Sequence, residues 1–325
     1  MAYDRRPVQK SALADTNQPS PEALAPLAAF KGAEPPAPQW FKDALAREPE
    51  RGFVDSLGSK IETLTWGETG KPGLLFVHGN TAHADWWSFI APFFADDYRV
   101  CAMSVAGMGG SDWRERYAFA DFVQDAEAVA RATGLYEGGK APIYIGHSLG
   151  GMHVHYAAAR HPEHMQAAIL VDVGFGGPPA PTQPVNPAFF RPPITYPALD
   201  MALVRFRFMP PQTAVFPCAV DLIARRGLTP APNDAEAFAW RFDPNWWDKL
   251  DRAGVIPDSD TVAAISLPLA HIVGTETRVV KPEQADLFPP HTVRIEIPGA
   301  QHHIMVDQPL ALVSAIRALL AGWEA

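Results

Sequence analysis

Apolar residues along this chain gather into short runs, separated by segments of helical spacing, from about residue 53 onward. The runs at 53–57 and 61–66 read as two opening strands. Leu74-Leu75-Phe76-Val77, residues 98–103, Ala141-Pro142-Ile143-Tyr144-Ile145 and residues 167–173 have few polar interruptions, as strands buried on both faces of a parallel sheet require. Residues 84–94, 119–133 and 152–160 are expected to be helical; in the second, Phe122, Ala126 and Val129 share one helix face. Strand character returns at 267–273 and 292–297, and residues 310–323 have the spacing of an amphipathic closing helix. This alternation predicts an α/β fold, with a mostly parallel central sheet flanked by helices.

Two segments stand outside the alternation. Residues 1–38 contain Pro7, Pro19, Pro21, Pro26, Pro35, Pro36 and Pro38, which predicts an extended arm, either disordered or wrapped over the body. Residues 175–264 combine proline pairs (Pro178-Pro179, Pro192-Pro193, Pro210-Pro211) with many large aromatics. A bare loop of that length and apolarity is rare, so a mainly helical insertion is expected there. The core then comprises residues 39–174 and 265–325.

Composition narrows the function. A chain of 325 residues, 47% of them hydrophobic, can bury a large core. The net charge of −9 and the lack of any lysine or arginine run argue against a nucleic-acid or membrane partner and favour a small molecule. No signal-like leader and no uninterrupted apolar stretch of membrane-spanning length are seen, which leads to the expectation of a cytoplasmic protein; homo-oligomerisation stays open. Cys101 and Cys218 lack metal-ligand or redox spacing and are expected to be buried, unpaired thiols.

The chemistry centres on Gly146-His147-Ser148-Leu149-Gly150-Gly151, between a strand-like run and a helix-like one. Small residues on either side allow a tight turn that presents a serine hydroxyl; the plainer reading is a helix-capping serine. Upstream, His78-Gly79-Asn80 ends a strand, and Gly299-Ala300-Gln301-His302 lies near the C-terminus. His153, His155, His161 and His164 have no accompanying cysteine or acidic ligand spacing, and no metal is assigned.

On these motifs, residues 53–325 resemble the α/β-hydrolase fold. The resemblance implies Ser148 as nucleophile and His302 as general base, the latter placed in register by Asp307-Gln308-Pro309, with His303 a packing residue. The usual aspartate position after the later strand holds Thr277, leaving Glu276 one residue early. Asp172, 24 residues beyond Ser148 at the end of the next strand, is preferred as the acid, with Glu276 the alternative. Backbone N–H groups of Leu149 and Asn80 would form the oxyanion hole, and Gly79, Trp246 and Trp247 would contact substrate under a cap made by residues 175–264. Relatives of this fold that cleave carbon–halogen bonds or epoxides use an aspartate nucleophile, so a serine at 148 implies acyl chemistry. The expectation is a cofactor-free serine hydrolase that cleaves a hydrophobic carboxylic ester or lactone through an acyl-enzyme. The alternatives are a carbon–carbon bond hydrolase using the same residues and a non-catalytic small-molecule receptor.

Overall fold

The predominantly apolar runs form the middle of an eight-stranded sheet. The computed structural model describes residues 19–175, 190–251 and 259–324. Its strands are β1 (Glu50–Ser56), β2 (Ser59–Trp66), β3 (Gly73–Val77), β4 (Arg99–Met103), β5 (Ile143–His147), β6 (Ala167–Val171), β7 (Thr195–Tyr196), β8 (Leu228–Ala231), β9 (Asp234–Trp240), β10 (Leu269–Gly274) and β11 (Val293–Ile297). The large sheet runs β1-β2-β4-β3-β5-β6-β10-β11. Only the β1–β2 and β2–β4 pairings are antiparallel; the remaining pairs are parallel. Every residue of β3, β4, β5, β6 and β10 is buried, since helices cover both faces of a parallel sheet. The edge strands β1 and β11 expose much of their length.

Register decides which loops meet. Val77 pairs with Gly146, His147 with Val171, and Val171 with Ile272, so the residues that follow β3, β5, β6 and β10 emerge at one carboxyl edge. Ligands of open α/β sheets bind at that edge.

The expected helix at 84–94 is instead two short 3₁₀ turns, Ala84–Trp87 and Ala91–Phe94. Pro92 has no N–H to continue an α-helical ladder, and the turns instead seat Trp87 with its ring 5.0 Å from Phe76.

Within the insertion the described residues add a small sheet to the expected helices. Helices Leu199–Arg205, Pro217–Arg226, Trp246–Lys249 and Ser259–Ala263 are present, but so is a three-stranded sheet of order β7-β9-β8. In β9 the inward positions are Ala237 and Ala239, and alanine at alternate positions is a weak strand signal. Pro178, Pro179 and Phe189 lie outside the described residues. The insertion is clamped to the core by buried charge. Asp243 accepts hydrogen bonds from Tyr117 Oη (2.8 Å) and Lys249 Nζ (2.6 Å), and Arg241 pairs with Glu62 at 2.7 Å.

Residues 19–38 wrap over the body. Ser20 caps helix Pro21–Leu24 by accepting the Ala23 N–H at 3.2 Å. Leu27 is buried in the main core, and Arg225 on the insertion donates to the Gly32 carbonyl at 2.7 Å. The rest of the arm, residues 1–18, lies outside the described residues. Cys101 and Cys218 are buried and unpaired, and burial pushes the Cys101 thiol up to about 12. No helix among the described residues is long and apolar enough to cross a membrane.

Candidate active site

Ser148 sits between β5 and helix Leu149–Arg160 with φ 52° and ψ −120°, a conformation that costs an L-residue about 1–3 kcal/mol and persists only where its surroundings impose it. The flanking glycines are sterically required. A Cβ on Gly146 would lie 2.5 Å from the Gly150 carbonyl oxygen, and one on Gly150 would lie 2.3 Å from the His78 carbonyl oxygen. Although Ser148 occupies the N-cap position, its side chain makes no capping bond. Its Oγ lies 3.0 Å from His302 Nε2.

The carboxylate next to His302 is Asp172. Its Oδ1 is 2.7 Å from His302 Nδ1. A carboxylate only accepts, so Nδ1 carries the proton, and Nε2 is left to accept from the Ser148 hydroxyl. Asp172 is 0% exposed, has φ 49°, and accepts further bonds from Thr277 Oγ1 (2.6 Å) and the Gly274 N–H (3.0 Å). Thr277 thus occupies the position expected for an acid and serves Asp172 as a donor. Glu276 is exposed, its backbone N–H bonded to the Ala300 carbonyl, and it is not brought to His302.

Three neighbouring histidines brace this arrangement. His78 Nε2 accepts the Val105 N–H at 3.0 Å, so its Nδ1–H donates to the Gly79 carbonyl at 2.7 Å. Burial pushes its pKa down to about 3, which keeps the ring neutral while it supports the Gly79-Asn80 loop. His147 donates from Nε2 to the His302 carbonyl at 3.1 Å. His303 packs between Trp86 and Phe208, ring centroids 5.4 and 4.8 Å away, and its N–H donates to Gln212 Oε1 at 2.9 Å. Burial holds both His147 and His303 well below the ordinary histidine range. Sequence reasoning missed His147, which occupies an unrestricted position of the turn, and Gln212, which lies 91 residues from its partner. No short-range pattern marks either.

Asp307 holds the same loop by accepting the Gln301 N–H at 2.8 Å, and burial raises its pKa from 3.8 to about 6. The folded state therefore binds this proton more tightly than the unfolded chain, and stability from this group is lost as pH rises from about 4 through about 6. Asp307→Asn keeps an acceptor for Gln301 but stays neutral. Its melting temperature relative to the parent is expected to rise over that pH interval and level off above it; a difference independent of pH would contradict the assignment.

Leu149 adjoins the serine, and the backbone at Gly79 approaches it. Leu149 is the first residue of its helix, where backbone N–H groups have no acceptor within the helix and the dipole favours negative charge. Gly79 faces the turn so closely that a Cβ there would lie 3.3 Å from Ser148 Cβ. Asn80 follows Gly79, and its Oδ1 accepts from Trp247 Nε1 at 3.1 Å, which ties the insertion to this loop. Trp247 is 40% exposed, whereas Trp246 is 3% exposed. The Trp246 indole donates to the Ala106 carbonyl at 3.0 Å and stacks on Tyr117, so of the two tryptophans only Trp247 is bonded to the loop. His153 stacks on Phe122, and His155 packs against Phe175, both as core residues. Among the described residues, groups suited to a metal converge at His147, His302 and His303 and at His161, Glu163 and His164.

The profile of the Alpha/beta hydrolase family matches residues 74–316, well over half of the chain. The chain belongs to the alpha/beta hydrolase family. Among characterised members, this alpha/beta hydrolase is 28% identical to a fluoroacetate dehalogenase from Burkholderia sp over 130 residues, 38% of this chain and 41% of that one. It is 31% identical to the lipase LipV of Mycobacterium tuberculosis over 108 residues, 33% of this chain and 39% of that one. The matched part thus spans about two fifths of each relative's length. Among solved structures, the thioesterase domain from the curacin biosynthetic pathway superposes with a TM-score of 0.67 at 21% identity, covering 82% of this chain and 99% of that one. At that identity the likeness concerns the fold.

Proposed function

We propose that this alpha/beta hydrolase is a serine hydrolase that cleaves a carboxylic ester or lactone of a hydrophobic small molecule. The observation that carries the reading is the continuous chain Ser148 Oγ, His302 Nε2 at 3.0 Å, His302 Nδ1, Asp172 Oδ1 at 2.7 Å, built on a serine in a strained turn. The side chain at 148 also argues against the dehalogenase-type relatives' chemistry. A serine ester formed with an acyl group is readily hydrolysed, whereas an alkyl ether formed with a halide or epoxide would be inert.

In this reading Ser148 Oγ attacks the carbonyl carbon as its proton passes to His302 Nε2, and the carbonyl oxygen becomes an oxyanion held by the Leu149 and Asn80 N–H groups. Collapse breaks the bond to the alcohol oxygen, which takes the proton from His302. Water then attacks the acyl-enzyme, giving its proton to His302 and releasing the acid with Ser148 restored. Asp172 keeps Nδ1 protonated throughout. Residues 175–264 act as the cap, a role supported by the Trp247–Asn80 and Gln212–His303 bonds. A fluorophosphonate probe is expected to modify the chain once, at Ser148, as read by peptide mass spectrometry. Failure to label, or labelling elsewhere, would favour the receptor reading.

A further inference from the structure

The turn and the C-terminal loop bring together three imidazoles that lie far apart in sequence. The ring centroids of His147, His302 and His303 are 4.7 to 5.3 Å from one another, and one ligand atom from each falls within 4.8 Å of the others. The hydrolytic reading uses His302 alone, and of its two partners much of the bonding capacity is unused. His147 Nδ1 and both ring nitrogens of His303 are buried with no hydrogen-bond partner of normal geometry among the described residues, although the Met209 carbonyl lies beside the His303 ring and acts on it as a weak acceptor. Buried polar atoms in this state are rare and call for an explanation.

We propose that His147, His302 and His303 form an inhibitory site for a late first-row divalent cation, typified by Zn²⁺. Imidazole ligates metal through an unprotonated ring nitrogen; His147 donates from Nε2 to the His302 carbonyl, which leaves the lone pair of its Nδ1 free, and the ring nitrogens of His303 have no bond of normal geometry. Three nitrogen donors of borderline softness, with a fourth position left for solvent, suit zinc or copper over magnesium or calcium. Zn–N bonds of about 2.0–2.1 Å cannot span nitrogens more than about 4.2 Å apart, so the rings must draw together on binding. The partly exposed Ser148 marks the solvent side of the cluster.

The inhibitory consequence rests on the catalytic reading above and follows from His302 having two nitrogens, each already engaged. Ligation through Nε2 removes the acceptor for the Ser148 proton, and ligation through Nδ1 breaks the bond to Asp172. Either way the base is lost while metal is bound. The ion is thus an inhibitor and not a cofactor, and its removal by chelator restores both bonds of the His302 ring.

Calorimetric titration of the full chain with ZnCl2 near neutral pH is expected to show one site, with X-ray absorption at the zinc edge showing three imidazole nitrogens at about 2.0–2.1 Å. His303→Phe keeps the aromatic packing and removes a ligand, and should weaken zinc binding at least about tenfold, since even partners outside the coordination shell carry that much. The doubly substituted His161→Ala, His164→Ala chain removes the competing surface cluster and should bind zinc as the parent does. Fluorophosphonate labelling of Ser148 should slow in proportion to zinc occupancy and recover with EDTA. Unchanged zinc affinity in His303→Phe, loss of the site in the His161/His164 variant, or fewer than three imidazoles at the zinc edge would overturn the site. Labelling indifferent to occupancy would overturn the inhibition. If Ser148 fails to label even without zinc, the hydrolytic reading is the one that falls, while calorimetry and absorption still decide the metal site.

Discussion

Ser148→Ala is expected to lower turnover of a short-chain aryl ester by about a million-fold, the loss typical of removing the nucleophile from a serine hydrolase. That corresponds to about 8 kcal/mol of transition-state stabilisation. The substitution removes one hydroxyl, whose single bond is to His302 Nε2, and leaves the turn geometry to Gly146 and Gly150, so the variant should fold with little change in melting temperature. KM should change far less than kcat, because the lost interaction forms a bond in the transition state and contributes little to ground-state binding. Turnover comparable to the parent would remove Ser148 from the mechanism.

The second large effect separates two carboxylates. Asp172→Asn is expected to reduce kcat by about ten-thousand-fold, as an asparagine can donate to Nδ1 and so favour the tautomer whose Nε2–H cannot take the serine proton. Glu276→Gln should leave kcat within about twofold, since surface substitutions away from a site are near neutral and Glu276 is exposed. Thr277→Val should fall between them. It removes the donor 2.6 Å from Asp172 Oδ1, worth about 1.5–3 kcal/mol for a bond to a charged acceptor, or roughly ten- to a hundred-fold. The deciding measurement is kcat for the three variants on one ester. If Glu276→Gln is the impaired enzyme, the hydrogen bonds to Asp172 are structural and the acid has been misassigned.

The uneven legibility of this chain has a physical pattern. Strands β3 to β6 were readable because they are buried on both faces and carry few polar interruptions. Residues 84–94 were misread because aromatic density imitates a helix, whereas Pro92 prevents one. The sheet of the insertion was missed because its inward face is built on Ala237 and Ala239, whose contrast with their neighbours is slight.

By itself the sequence determined the turn at Ser148 and the register of His302, since both depend on residues within a few positions. The close approach of Gly146 to Gly150 is local, and so is the bond that Asp307 accepts from the Gln301 N–H beside His302. Only the tertiary structure decided which carboxylate meets His302, because that contact joins residues 130 positions apart through the pairing of β6 with β5 and β10. It also decided the fate of the histidines. His147 lies beside a recognised motif and His303 beside the proposed base, yet their gathering around His302, with nitrogens left unbonded, follows from the packing of a turn against a loop 155 residues downstream.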